Sequence, residues 1–189
     1  MKIAVLGWGS LICNKGCLKI KEEWHEDGPY LPVEFARISS GGRLTLVLLP
    51  GAEKVQVLWT YMAMDYLEEA IKNLAEREKT PNQNNIGFID IINSCSRSKV
   101  IPDVVGTIEE LAHKKEIKAV IWTDLSSNFK KKTNTEFTIS NAIACLESLS
   151  YYKKRKAEEY IRKAPIQIRT KLREVIEKRL GWTYKGNCT

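Results

Sequence analysis

The hydrophobic period changes partway along the chain, and that change limits what the chain can build. Up to residue 63 the apolar runs are strand-like, and two of them alternate apolar with polar residues. LPVEFARIS (31–39) and RLTLVLLP (43–50) alternate on either side of a Gly-containing turn at SGG (40–42), the pattern of a β-hairpin. KIAVL (2–6) reads as a short buried strand, and VQVLWTYMA (55–63) follows the GAEK turn as another. From residue 65 the spacing becomes helical. DYLEEAIKNLAEREK (65–79) sets Leu67, Ala70, Ile71 and Leu74 on one face. Asp65 with Glu68 predicts a capping box at its start, and Pro81 an end to the helix.

Beyond that helix the elements alternate less regularly. IGFIDII (86–92) predicts a strand, residues 93–103 a polar loop, DVVGTIEELAHKK (103–115) a short helix and IKAVIWTDL (117–125) an apolar strand. LSSNFKKKTNTEF (125–137) reads as a solvated loop, and from Thr138 the chain reads as helical, with Pro165 placed at a helix start. Hairpins come early and helices late, which is not the order of a βαβ repeat. The class expected is α+β, with a mostly antiparallel, curved sheet or small barrel.

At 189 residues and 43% hydrophobic, the chain has apolar material for a sizeable core without metal or disulfide support. No run of eighteen apolar residues occurs, so no membrane span is expected, and MKIAVLGWGSLIC reads as a first strand rather than a signal peptide. Cytoplasmic residence is the default expectation. Cys13, Cys17, Cys95, Cys145 and Cys188 are scattered, and His25 and His113 lack ligand spacing, so no metal is expected and the thiols are read as reduced. Charge is uneven. Residues 151–182 hold 11 Lys/Arg against 4 Asp/Glu, while the rest carries 19 of each sign. This segment reads as an amphipathic helical pair with a wet basic face, its buried stripe supplied by Ile161, Ile166, Ile168, Leu172, Val175, Ile176 and Leu180. The competing reading is a nucleic-acid surface built on residues 151–182.

The residues that bear on chemistry are few. Gly7, Trp8, Gly9, Ser10 and Leu11 (GWGSL) end the first strand. Glycine there permits positive φ or close approach of a ligand, and the N–H groups of Gly9, Ser10 and Leu11 would converge on a carboxylate or carbonyl oxygen. The alternative is a tight structural turn. No third glycine or following helix makes this a dinucleotide fingerprint, and two histidines without a G-x-S-x-G elbow argue against a serine triad. Carboxylates remain. Glu78 sits at the close of the 65–79 helix, where the dipole disfavours an acid, so it is either a solvated helix end or a residue with another task.

GWGSL directly after the first strand resembles the Tyr/Trp-Gly-Ser-Leu signature of the γ-glutamylcyclotransferase-like proteins. LAERE (74–78) is similar to the Leu-x-x-Arg-Glu segment of their glutathione-specific branch, and DGPYLPVEFARISSGGRLTLVL (27–48) with IKAVIWTDL looks like a bacterial subgroup. The resemblance covers about residues 1–125 and implies a small mixed, mostly antiparallel β-barrel flanked by helices, with residues 126–189 as a C-terminal helical extension packed on it. It implies that the GWGSL loop binds a γ-glutamyl group and that Glu78 is the general acid/base converting a γ-glutamyl amide to 5-oxoproline and a free amine. Arg37 and Ser39, with Ser40, lie on the hairpin that would face the pocket, where Arg37 would hold a substrate carboxylate. Trp8 stands where tyrosine is more usual. No metal or cofactor is implied; the partner is a small γ-glutamyl substrate, with no membrane. The alternative within the same fold is a small-molecule-binding protein without turnover.

Overall fold

A computed structural model of the chain describes residues 1–21, 23–101 and 103–186. β1 (Ile3–Gly7) is buried along its whole length. It pairs antiparallel with β5 (Leu58–Tyr61) on one side and parallel with β8 (Ala119–Thr123) on the other. β6 (Ile86–Asp90) continues antiparallel from β8, and β7 (Cys95–Arg97) from β6, giving the order β5-β1-β8-β6-β7. A second sheet, β3-β2-β4, is antiparallel throughout and contains the hairpin of β2 (Tyr30–Ile38) and β3 (Leu44–Leu48), with β4 (Lys54–Gln56) on the far edge of β2.

The class is α+β, with mixed and antiparallel sheets, but the expected barrel does not close. A barrel needs an unbroken ring of strand pairing. The run expected as one strand over 55–63 is instead broken at Val57, where the chain leaves the second sheet and enters the first. The Val57 N–H still donates to Pro29 O at 3.0 Å, in the register of the β2–β4 pairing, but Pro29 has no N–H to return and the ladder ends there. β7 and β3 are left as terminal strands that pair with no further strand among the described residues.

Alternation along β1 divides the interior. Ile3 and Val5 face a cluster with Leu11, Leu18 and the apolar side of α2 (Leu67–Arg77), formed by Leu67, Ala70, Ile71 and Leu74. Ala4 and Leu6 face the larger cluster, with Phe35, Leu46, Ile108, Ile143, Ile161, Leu172 and Ile176. Helices α3 (Val104–Lys114), α5 (Ile139–Glu147), α6 (Tyr151–Lys163) and α7 (Lys171–Leu180) contribute to this second cluster, so the C-terminal segment shares the core of the sheets. Two short elements were not legible in the sequence. β7 lies in the expected polar loop, and α4 (Phe129–Thr133) forms in the basic run because Phe129 buries itself and anchors the turn.

Several local expectations give way to tertiary contacts. The capping box at Asp65 does not form: α2 begins after Tyr66 with no side-chain cap, and Asp65 takes the N-terminal ammonium at 3.0 Å. Pro165 does not begin a helix. Residues 164–170 form a turn, which leaves Ile166 half exposed rather than in a buried stripe, and α7 starts behind Thr170, whose side chain accepts the Arg173 N–H. Cys17, Cys95 and Cys145 are free thiols, but Cys13 is disulfide-bonded, against the expectation of reduced thiols throughout; Cys188 lies outside the described residues.

The turn before α7 is built around two buried charges. The Arg173 guanidinium, 1% exposed, donates to the carbonyls of Pro165 (2.7 Å), Ile168 (3.1 Å) and Ala164 (3.0 Å). From the other side, Glu34 on β2 accepts the Leu172 N–H at 3.2 Å, a carboxylate at the amide end of α7 where the helix dipole favours it. Burial still raises the Glu34 pKa, with the Thr170, Phe35 and Leu172 hydrogen bonds pulling against that rise. Replacing Arg173 with Met removes a donor from three carbonyls, of which Pro165 O keeps the Ile168 N–H, and leaves Glu177 with Arg169 as its partner. Arg173→Met is expected to cost about 3–5 kcal/mol in urea unfolding; a loss under about 1 kcal/mol would show that the turn stands without its guanidinium.

Candidate active site

Three segments meet around one cavity. The first is the loop after β1. Gly9 caps a single helical turn, α1 (Ser10–Cys13), closed by Ile12 N–H to Gly9 O at 3.0 Å and Asn14 N–H to Ser10 O at 2.9 Å. Neither glycine of GWGSL uses a positive φ. They are needed for space. A Cβ on Gly7 would stand 2.6 Å from Ile12 and 2.7 Å from the Trp24 ring, and one on Gly9 would stand 2.8 Å from the Tyr160 hydroxyl. Trp8 is 6% exposed and packs in the larger core cluster.

The second segment is the end of α2. Thr80 N–H reaches Ala75 O and Lys79 N–H reaches Glu76 O, both at 3.0 Å, with Lys79 in the left-handed region at φ 53°. This Schellman pair closes the helix and leaves Glu78 as its C-cap. The Glu78 side chain is 19% accessible and pairs with Arg77 at 3.0 Å. Arg77 also donates to Ser10 O at 3.0 Å and Asn14 O at 2.6 Å, so one guanidinium ties the acid to the glycine loop. Burial raises the Glu78 pKa above the ordinary carboxylate value, and the Arg77 charge opposes that rise.

The third segment is the hairpin. Between Phe35 and Arg37 the β2–β3 register skips by a residue, so Phe35 stays in the core while Arg37 pairs with Thr45 at the rim of the cavity. Such a bulge re-aims the strand's side chains. Arg37 spends one N–H on Ser126 O at 2.6 Å, and burial lowers its pKa. Ser39 holds the turn, its hydroxyl accepting the Arg43 N–H at 3.2 Å.

The enclosed space measures about 260 Å³ and is lined by Gly7, Trp8, Gly9, Ser10, Leu11, Arg37, Ser39 and Glu78, so every site residue expected from the sequence reaches it. Two further side chains matter there. Arg43 lines the cavity and lies over the Tyr160 ring, 5.6 Å from its centre. Tyr160 itself projects from α6, within the segment expected from the sequence as a helical extension. The Leu46 N–H hydrogen-bonds its phenol oxygen at 3.4 Å. Desolvation, with the Glu78 charge adding to it, pushes the phenol up to about 12. The sequence carried one faint sign of this residue, an aromatic among charged neighbours beside the apolar Ala157 and Ile161. A second, more open cavity of about 600 Å³ adjoins the first across Gly9, Ser10, Arg43 and Tyr160, and Ser40, Lys156 and Lys163 line it.

Comparison with protein-family models, with curated proteins and with solved structures gave no match in any of the three. Among the described residues no helix is long and apolar enough to cross a membrane, and no group of three His, Cys, Asp or Glu is placed to hold a metal ion.

Two measurements check this geometry. A carboxyl whose pKa is raised by folding loses stability as pH climbs from its ordinary value through its native one, because the folded state holds the proton more tightly. Wild type is therefore expected to match Glu78→Gln below pH about 4.5 and to fall behind it as pH rises toward neutrality. A constant difference across pH would place the Glu78 carboxyl in solvent. Separately, Gly9→Ala is expected to cost about 1–3 kcal/mol, and appreciably less in a Tyr160→Phe background, where the facing oxygen is gone. Equal costs in both backgrounds would remove the Gly9–Tyr160 contact.

Proposed function

We propose that the protein is a γ-glutamylcyclotransferase-like enzyme that closes a γ-glutamyl amide into 5-oxoproline and releases an amine. The observation that supports this most is the meeting of a partly buried carboxylate, Glu78, and the GWGSL main chain in one small cavity, joined through Arg77. The reaction needs no protein nucleophile, because the substrate's own α-amine attacks its γ-carbonyl. What the protein supplies is a folded substrate conformation, worth about 7–11 kcal/mol in well-oriented intramolecular cases, and a proton carrier.

In this reading Arg37 and Arg43 face the α-carboxylate of the γ-glutamyl group, while Glu78 receives a proton from the α-amine as nitrogen bonds to the γ-carbon. The same proton is then delivered to the departing nitrogen as the amide bond breaks. A carboxyl whose pKa is raised by burial suits both halves of that exchange better than an ordinary one, because it holds a proton more firmly after accepting it. The open, cation-lined second cavity gives the leaving amine a place beyond the reacting centre.

The test follows 5-oxoproline release from a panel of γ-glutamyl amides and dipeptides. At least one member is expected to turn over, and Glu78→Gln to lower kcat/KM by about 10²–10⁴-fold without loss of fold. Calorimetric binding of the panel with no product from any member would instead describe a binding protein of this architecture. Unchanged turnover in Glu78→Gln would remove Glu78 from the chemistry.

A further inference from the structure

From the sequence, the Gly9, Ser10 and Leu11 N–H groups are expected on a carboxylate or carbonyl oxygen of a ligand. In the structure the Leu46 N–H reaches the Tyr160 phenol oxygen at 3.4 Å. A phenol oxygen has two acceptor positions and one O–H to donate. The Leu46 N–H takes one of the acceptor positions. Among the described residues no protein acceptor takes the hydroxyl proton, and the oxygen lies against Gly9 in the wall that both cavities share.

We infer that Tyr160 is a second catalytic residue, whose O–H donates a hydrogen bond to the γ-carbonyl oxygen of the substrate as it becomes an oxyanion. This assignment rests on the cyclotransferase reading of the same cavity. As the α-amine nitrogen bonds to the γ-carbon, the carbonyl π electrons move onto oxygen, and the phenol hydrogen holds that charge without being transferred. When the electrons return, the bond to the leaving nitrogen breaks and Glu78 supplies that nitrogen with the proton taken from the amine. Hydrogen bonds in series strengthen one another, so the Leu46 amide acts on the oxyanion through the phenol. A phenol kept protonated by its surroundings remains a donor through the neutral range. The helical extension thereby completes a site whose other parts lie in the first 125 residues.

The experiment compares wild type, Glu78→Gln, Tyr160→Phe and a protein with a ring-fluorinated tyrosine at position 160, on the best substrate of the panel. Tyr160→Phe is expected to lower kcat by about 10²–10³-fold with KM little changed, as for loss of one oxyanion donor. The fluorinated ring keeps the shape and the Leu46 N–H contact while making the phenol more acidic. Its turnover is expected to fall at alkaline pH along a limb absent from wild type, a change that a packing role alone would not produce. Tyr160→Phe within about twofold of wild type, beside an inactive Glu78→Gln, would overturn this inference and leave the reaction standing. A fluorinated protein with the wild-type pH profile would overturn it equally. No turnover by wild type would remove the reaction and the role of Tyr160 together.

Discussion

The arginine at the end of α2 is the contact on which the arrangement of the site depends. Arg77 binds the Ser10 and Asn14 carbonyls and the Glu78 carboxylate at once, and its side chain is only 14% accessible. Its planar fork of donors suits three acceptors in different directions better than an ammonium would. Residues more than sixty positions apart in the chain are thereby held at hydrogen-bond distance. Because the acid it holds is partly desolvated, the guanidinium also limits how far the carboxyl departs from its ordinary titration range.

A second pair of buried charges fixes the other wall. Glu34 on β2 and Arg173 on α7 bind main-chain groups of the 164–172 turn from opposite sides. Neither relies mainly on the other for neutralisation; each is used as an anchor for backbone dipoles that a buried turn must satisfy. α6 ends immediately before this turn, so the anchor also determines where its face lies. Tyr160 reaches the glycine loop on that face, packed edge-on against Phe35 and beneath Arg43. The architecture therefore spends its buried polar groups on bringing distant main-chain segments together, and the cavity is the place where those segments meet.

Much of the scaffold was legible in the sequence because its signal is local. β1, the β2–β3 hairpin, α2, β6, α3 and β8 each follow from a hydrophobic period over five or more residues. Failures occurred where a local preference met a stronger distant partner. Asp65 found an ammonium instead of an amide, the chain passed from one sheet to the other at Val57, and Phe129 drew a basic run into a helix by burying itself. The barrel failed to close for the same kind of reason, since a one-residue corner is invisible to any pattern of alternation. At the site, Glu78 and the GWGSL loop stood out as residues out of place, whereas Arg43 and Tyr160 look like ordinary members of a charged surface.

By itself the sequence determined most of the strands and helices and the faces they bury, and it singled out one main-chain loop and one acid as candidates for chemistry. Those properties depend on side-chain period and backbone sterics within a few residues. Only the tertiary structure decided that the loop, the acid and the bulged hairpin enclose one space, that the glycines are there to admit Trp24 and Tyr160, and that a C-terminal helix closes the wall. Those outcomes depend on contacts between residues up to about 150 positions apart, whose closure is set by packing of the whole chain and leaves no trace in local pattern.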